Sequence, residues 1–368
     1  MGEGNLRFEI SNLKEETVTG VRRALLAAAM GVVWAGAAGA PFASQSEAQG
    51  KQERRIVAVN VVDEQGQQVT GLTAEDFRGK FGGRPVKIES VRWDAHPRRV
   101  VIFLDISDSM TASEPRWSLA LEAARQLVAQ AAPETSFALV LFGTKIAQRV
   151  EFSSGRDAVR EALGLLGSES AAAKGFERTA LVDSIVEGLE LLGPLQFGDA
   201  AFVITDAVEG SSKRKPRDLE GALLLRGVRL FGFILSYPPR PSMWPPSASS
   251  GPGLAPGGYE LGEDPAGALG RVAEASGGSW YAVISGERFR SEPPGYWYTD
   301  ERKAAALAAV RNLKNEMEQG YRVEIELPWE IRETRAWTLE AVDRSSKKLK
   351  GIKVVYPRKV AACGGGKP

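Results

Sequence analysis

Three short segments of the sequence carry oxygen-bearing side chains of the kind that bind a hard metal ion. The first contains Asp105, Ser107 and Ser109, whose spacing of two places all three side chains on one side of an extended turn. The other two segments contribute Thr179 and Asp206. Hydroxyl and carboxylate oxygens, without nitrogen or sulfur, suit Mg²⁺ or Mn²⁺, which fit octahedral oxygen coordination best. These residues therefore predict a divalent-cation site, provided that the fold brings them together.

The elements around these segments predict how they could meet. Apolar runs at 100–104, 137–142 and 201–204, and the largely apolar segment 228–235, are typical of buried strands, and stretches with helical periodicity lie between them. Such alternation indicates an α/β fold with a doubly wound, mostly parallel sheet. In sheets of this class, ligands bind beyond the carboxyl ends of the strands, where the first and third segments would lie.

Each segment also has an ordinary structural interpretation. Ser and Asp after a strand are frequent turn and helix-cap residues, and Thr179 alone would most often begin a helix. The joint placement of all three segments in an α/β chain favours the metal site over a set of unrelated caps.

The same three segments resemble the motifs of von Willebrand factor A (vWA) domains. Residues 101–110 are similar to the first motif of that family, in which Asp-x-Ser-x-Ser follows a buried strand. Residues 179–185 are similar to its Thr-bearing loop, and residues 203–206 to its Asp-bearing loop. The resemblance covers about residues 98–320.

This resemblance implies a vWA or Rossmann-like fold and a metal-ion-dependent adhesion site. It implies that Ser107 and Ser109 bind the ion directly, and that Asp105, Thr179 and Asp206 bind it directly or through water. It further implies a protein partner that offers an acidic side chain to complete the coordination of the ion. We therefore expect a non-enzymatic, adhesion-type binding module.

The match to the family is closer in some places than in others. Ala207 stands where Gly usually follows the last Asp, and Arg178 stands where a small residue is common. We expect the Ala to cost little, and the Arg either to attract an acidic ligand or to compete with the metal. A narrower similarity, to exported vWA-related proteins common in acidobacteria, rests on residues 69–77 and on the helix-then-strand passage ending at Gly320 and Tyr321.

Composition excludes several other kinds of function. The net charge of +1 gives no reason to expect nucleic acid as a partner. Cys363 and His96 are the only residues of their types, which excludes an internal disulfide and multi-histidine metal sites. A serine hydrolase would need a Gly-x-Ser-x-Gly elbow, which the sequence lacks. A phosphatase with a nucleophilic Asp would usually have a second acid at position 107, where this chain has Ser. Two alternatives stay open: a structural exported scaffold whose metal site is unused, and a metal-dependent hydrolase.

The beginning of the chain has the pattern of an export signal. Arg22 and Arg23 precede an uncharged run at 24–40, which is followed by small-residue cleavage sites. We expect a periplasmic or secreted protein whose mature chain starts between Pro41 and Gln49 and has no integral membrane span. The alternatives are a buried helix and an uncleaved anchor.

Strand patterns flank the α/β region on both sides. Residues 56–62 and 86–91 precede it, and three strands follow Tyr321, but neither set has enough strands to bury a face alone. We predict that the strands of both chain ends combine in one five-stranded β unit with Trp337 in its core. The alternative is that the two sets lie separately on the α/β domain. The predicted layout is a leader at 1–48 with its signal at about 21–48, an N-terminal β module at 50–97, a vWA domain at 98–320, C-terminal strands at 321–356 and a flexible tail at 357–368.

Overall fold

The computed structural model describes residues 53–96, 98–112, 114–166, 178–235, 265–283 and 299–362. Its strands, in chain order, are β1 (Glu53–Asp63), β2 (Phe77–Phe81), β3 (Arg84–Asp94), β4 (Arg99–Asp105), β5 (Ser136–Phe142), β6 (Ile146–Val150), β7 (Ala200–Thr205), β8 (Arg229–Ile234), β9 (Trp280–Ala282), β10 (Gly320–Leu327), β11 (Arg335–Ala341), β12 (Ile352–Val355) and β13 (Lys359–Val360). Its α-helices are α1 (Asp108–Thr111), α2 (Glu114–Gln130), α3 (Gly155–Leu165), α4 (Leu181–Gly188), α5 (Pro216–Arg226), α6 (Pro265–Ala275) and α7 (Asp300–Glu318).

Six strands form the central sheet, in the order β6-β5-β4-β7-β8-β9. All neighbouring pairs are parallel except β5 and β6, which are antiparallel at one edge. The order reverses between β4 and β7, as in a doubly wound sheet, and this confirms the predicted fold class.

The central strand β4 shows why the sheet is covered on both faces. Val100, Ile102 and Leu104 are buried in a cluster with residues of α2, α3 and α7. Val101 and Phe103 point the other way, into a cluster with residues of α4, α5 and α6. Successive strand residues alternate between faces, so a strand with apolar residues at every position must lie between two layers of helices.

A second sheet is antiparallel and combines strands from both sides of the α/β region, in the order β12-β1-β10-β3-β2-β11-β13. This confirms the predicted flanking β subdomain, with seven strands rather than five. The first additional strand, β2, alternates buried Phe77, Gly79 and Phe81 with two exposed basic residues. Its glycine and its length of five residues obscure the strand pattern in the sequence. The second, β13, lies inside the segment 357–368 for which we predict a flexible tail.

The core of the seven-stranded sheet contains the apolar residues that the alternation predicts. Val57, Val59 and Val61 from β1 are buried together with residues of β10 and β11. Trp337 is 4% exposed, and its indole Nε1 donates a hydrogen bond to the Pro357 carbonyl at 2.6 Å. Its ring packs edge-on against Tyr356, with the ring centroids 5.1 Å apart.

Buried polar groups join this sheet to the end of helix α7. The guanidinium of Arg229 donates to the Asn60 side chain at 2.7 Å and to the carbonyls of Glu316 and Met317. Asn60 in turn donates to the carbonyl of Gln319, the residue between α7 and β10. These bonds satisfy carbonyls that the helix end would leave without a partner.

Some sequence predictions concern residues outside the described part of the chain. The export signal at 21–48, the proposed start of the mature chain and Cys363 all lie there. Among the described residues, no helix is both long and apolar enough to cross a membrane. His96 is described, and its side chain is 84% exposed, which agrees with a surface position.

Candidate metal centre

Two carboxylates lie side by side where the central strands end. Asp105 is the last residue of β4, and Asp206 directly follows β7. The two strands are paired in parallel, with Leu104 opposite Ile204, so their carboxyl ends meet at the same sheet edge. Asp105 is fully buried and Asp206 is 1% exposed. The sheet topology therefore places both acids at one buried point.

Hydrogen bonds from its own loop and from β7 orient the Asp105 carboxylate. Its Oδ1 accepts the main-chain N–H of Ser107 at 2.9 Å, and its Oδ2 accepts the Thr205 hydroxyl at 2.6 Å. Ser107 is buried just before α1, and its hydroxyl lies 3.1 Å from the hydroxyl of half-buried Ser109. The first loop thus holds one carboxylate and two hydroxyls close together.

The Asp206 carboxylate is held by its own loop and by a buried arginine. Its Oδ1 accepts the N–H of Val208 at 3.0 Å, and its Oδ2 lies 3.4 Å from Nη1 of Arg116. The same Nη1 donates to the Ser109 carbonyl at 2.6 Å. Arg116, on helix α2, therefore ties the first loop to the Asp206 loop and contributes one positive charge at this point.

Burial and mutual repulsion disfavour the ionised form of this acid pair. Burial, and then the neighbouring Asp206 carboxylate, raise the pKa of Asp105 to about 7. Burial also raises the pKa of Asp206, against the lowering effects of a hydrogen bond from Ser109 and the charge of Arg116. If both acids are ionised, the single positive charge of Arg116 does not balance their two negative charges. A divalent cation would supply the missing positive charge.

Thr179 joins this edge through its main chain. It is buried, and its carbonyl accepts N–H groups of Gly210 and Ser211 at 2.9 and 3.0 Å. The next residue, Ala180, donates to the Gly143 carbonyl at 2.7 Å. Side-chain interactions link Asp105, Ser107, Ser109 and Asp206, while main-chain bonds attach Thr179 to the loop that follows Asp206.

The donor set fits a hard cation that uses hydroxyls as well as carboxylates. Among the described residues there is no group of three or more His, Cys, Asp or Glu side chains that could hold a metal. A cation at this edge would therefore rely on the acid pair and the neighbouring hydroxyls. Such an all-oxygen set matches the preference of Mg²⁺ or Mn²⁺.

Three residues that hold this edge together are not among the predicted site residues. Thr205 holds Asp105, Arg116 holds Asp206, and Glu209 holds the start of α4. Thr205 immediately precedes a predicted ligand, so its position could have suggested a role. Arg116 and Glu209 stand among ordinary polar residues, and nothing local marks them.

Glu209 fastens the Asp206 loop to helix α4. It is 5% exposed, and its Oε2 accepts the N–H of Val182 at 3.1 Å and the Ser212 hydroxyl at 2.7 Å. Its Oε1 accepts the N–H groups of Ser211 and Ser212. A carboxylate at a helix N-terminus is also favoured by the helix dipole, so Glu209 stabilises the loop that contains Thr179.

Ala207 has a main-chain conformation that its side chain disfavours. Its φ is +63°, in the left-handed region that glycine adopts most easily. Ala at this position is therefore expected to cost about 1 kcal/mol relative to Gly, the usual penalty for a left-handed conformation. The methyl group itself is buried in the core without difficulty.

Comparison with known proteins gives a match for one segment of the α/β region. Residues 100–188 match the model of the von Willebrand factor type A domain, which includes the first loop and Thr179. A comparison with curated proteins found no match.

Several solved structures show a limited likeness to this chain. An aerotolerance-related membrane protein from Bacteroides fragilis is 18% identical, with 59% of this chain and 98% of that chain covered and a TM-score of 0.39. The conserved hypothetical protein BatB from Bacteroides thetaiotaomicron is 16% identical, with the same coverage and a TM-score of 0.38. Proximal thread matrix protein 1 from the mussel byssus, described with a zinc-occupied MIDAS motif, is 18% identical over 39% of this chain and 38% of that chain, with a TM-score of 0.31. Because these TM-scores are low, the similarity to the von Willebrand factor type A domain rests on the match of residues 100–188.

Proposed function

We propose that this chain, whose residues 100–188 match the von Willebrand factor type A domain, is an exported, non-enzymatic binding module that captures a protein partner through a divalent cation. The observation that carries the proposal is the buried pair of Asp105 and Asp206, whose ionised forms lack sufficient positive charge. Ser107, Ser109 and Thr179 would complete the protein's ligands. The bound ion, Mg²⁺ or Mn²⁺, would supply a Lewis-acidic position for a carboxylate of the partner.

A binding role agrees with the position of the chain's one histidine relative to the acid pair. The only histidine of the chain, His96, precedes β4, while Asp105 ends that strand. Seven residues of strand separate the two ends by roughly 20 Å at the usual rise per residue. His96 therefore stands too far from the candidate metal centre to move a proton there.

Thermal unfolding of the full chain tests whether the cation binds. A ligand that binds only the folded state must stabilise it, so millimolar Mg²⁺ or Mn²⁺ should raise the Tm, and a chelator should reverse the rise. NaCl at matched ionic strength is the control for screening. If neither ion changes the Tm or gives a calorimetric signal, the proposal fails and a structural scaffold with an unused site becomes the better interpretation.

Export is a separate part of this proposal and has its own test. The basic pair Arg22 and Arg23 and the uncharged run at 24–40 support it. Mass spectrometry of the protein from its native cells should find a mature chain that starts between Pro41 and Gln49. An intact leader on protein from the soluble cytoplasmic fraction would exclude export.

A further inference from the structure

Four loops meet at the sheet edge around the candidate metal centre: residues 105–111, 143–145, 178–180 and 206–215. Main-chain bonds connect them, since Ile106 donates to Phe142, Ala180 to Gly143, and Gly210 to Thr179. The edge is therefore one continuous surface rather than four independent loops.

The exposed charges on these loops are almost all of one sign. Asp108 is their only exposed acid, because Glu209 is buried and fully bonded. The same loops contain five exposed basic residues, which we name the basic rim: Lys145, Arg178, Lys213, Arg214 and Lys215.

Most of this positive charge is not neutralised within the described part of the chain. Arg214 pairs with Asp183 at 3.3 Å, and its side chain is still 46% exposed. No ion pair involves Lys145, Arg178 or Lys213 among the residues that the structure describes. Since the whole chain carries a net charge of only +1, the field of the basic rim is a local property of this edge.

A loaded metal centre would add to the same field. A divalent ion together with Arg116 would exceed the charge of the two buried carboxylates by one unit. A partner at this edge would therefore meet positive charge at the ion and again around it. A single carboxylate would engage the ion and leave the basic rim without a counterion.

We propose that the partner presents an acidic segment, with one carboxylate for the metal ion and further Asp or Glu side chains for the basic rim. This inference rests on the proposed function and specifies the class of partner. Exposed ion pairs are individually weak, but several of them accelerate association and select against neutral or basic partners. Binding should accordingly weaken as the salt concentration rises.

Fluorescence anisotropy with the full chain in Mg²⁺ tests the inference. The probe is a labelled Gly/Ser peptide that contains four adjacent Glu residues, compared with the same peptide containing one Glu. The four-Glu peptide should bind more tightly, and a chelator should abolish its binding. The double variant Lys145→Glu/Lys213→Glu should bind it at least about tenfold more weakly, from the usual size of exposed pairs and of like-charge repulsion.

The matched control is Arg344→Glu/Lys347→Glu, which makes the same charge change at exposed positions in the connection between β11 and β12 and should bind like the wild type. Calorimetry with Mg²⁺ and the Tm are measured for each variant. If wild type binds Mg²⁺ but the rim variant retains the four-Glu peptide, or if a single-stranded oligonucleotide binds more tightly than the peptide, this inference is wrong while the metal site stands. If wild type does not bind Mg²⁺, the proposed function itself fails.

Discussion

Asp105 combines two properties that oppose each other when no cation is present. It is fully buried, and it shares its surroundings with a second carboxylate, Asp206. Its hydrogen bonds from Ser107 and Thr205 offset only part of the resulting cost, since its pKa still rises to about 7. This combination supports the proposal that Asp105 binds a cation, because the residue does little for the stability of the metal-free fold.

The substitution Asp105→Ala should abolish Mg²⁺ binding and leave the fold intact. It removes a ligand, while the loss of two hydrogen bonds, about 1–3 kcal/mol, is offset by the loss of repulsion with Asp206. Calorimetry measures the affinity, and circular dichroism the fold. Asp108→Ala is the control, because Asp108 is exposed in the same loop. Equal Mg²⁺ affinity in Asp105→Ala and wild type would show that the site is wrongly assigned.

The raised pKa of Asp105 predicts how both affinity and stability depend on pH. The carboxyl must lose its proton before it binds a cation, so a pKa of about 7 implies an affinity about tenfold weaker at pH 6 than at pH 8. Without metal, the folded state holds this proton more tightly than the unfolded state, in which the pKa is near 3.8. The stability contributed by Asp105 is thus present below about pH 4 and is lost as the pH rises to about 7.

Chemical unfolding without metal, at pH 5 and pH 8, separates this effect from other groups. Wild type should lose stability over that range relative to Asp105→Asn, which cannot ionise at this position. Identical pH dependence in the two proteins would mean that Asp105 is already ionised in the metal-free protein at pH 5.

Among the secondary-structure elements, the candidate site depends on the attachment of the loop after β7 to helix α4. The loop after β7 contains Asp206, and Glu209 within it accepts the N–H of Val182 in the first turn of α4. The main-chain N–H of Asp183 donates to the Ser212 hydroxyl oxygen, and the N–H groups of Lys213 and Arg214 donate to the Asp183 carboxylate. Strand β7 and helix α4 thereby hold Asp206 and Thr179 in a fixed relation.

The substitution Glu209→Gln should loosen this connection. An amide offers one acceptor oxygen where the carboxylate offers two, so at least one buried N–H or hydroxyl loses its partner, at a cost of about 1–3 kcal/mol. Urea unfolding should show the loss, and hydrogen exchange at the Val182 amide should accelerate. Glu187→Gln makes the same change at a position of α4 that is 55% exposed, and it should have little effect. Unchanged exchange at Val182 in Glu209→Gln would rule out the fastening role.

In the molecule as a whole, the chain segments that precede and follow the α/β region form one sheet. Strand β10 pairs with β1 on one side and β3 on the other, so residues from before and after the α/β region alternate in the sheet. Helix α7 leads into β10 through Gln319 alone. The seven-stranded sheet is therefore a direct continuation of the α/β region.

Trp337→Ala should destabilise the molecule by about 3–5 kcal/mol, the usual cost of truncating a buried aromatic side chain. Trp337 is 4% exposed and packs among residues from both chain ends. Equilibrium unfolding in urea measures the change. Leu225→Ala serves as the control, since Leu225 is 67% exposed and should change stability by less than about 0.5 kcal/mol. A loss below about 1 kcal/mol in Trp337→Ala would mean that the pooled sheet is not stabilised by this core.

Local patterns in the sequence predict most of the strands and helices and propose the candidate ligands of the metal. The apolar run at 100–104 requires two covered faces whatever surrounds it, and the end of such a strand is where Asp105 must emerge. The alternation in β1 and β10 demands a buried face, and neither chain end supplies enough strands alone. These conclusions depend only on periodicity, which neighbouring residues encode.

Contacts between residues far apart in the chain could be found only in the tertiary structure. Thr205 and Asp105 are 100 residues apart, and Arg116 and Asp206 are 90 apart, so no local pattern predicts either pair. The same applies to β2, whose membership of the seven-stranded sheet follows from its pairing with β11 and β3. Such pairings are selected by packing and by the need to satisfy buried polar groups, and both are properties of the folded whole.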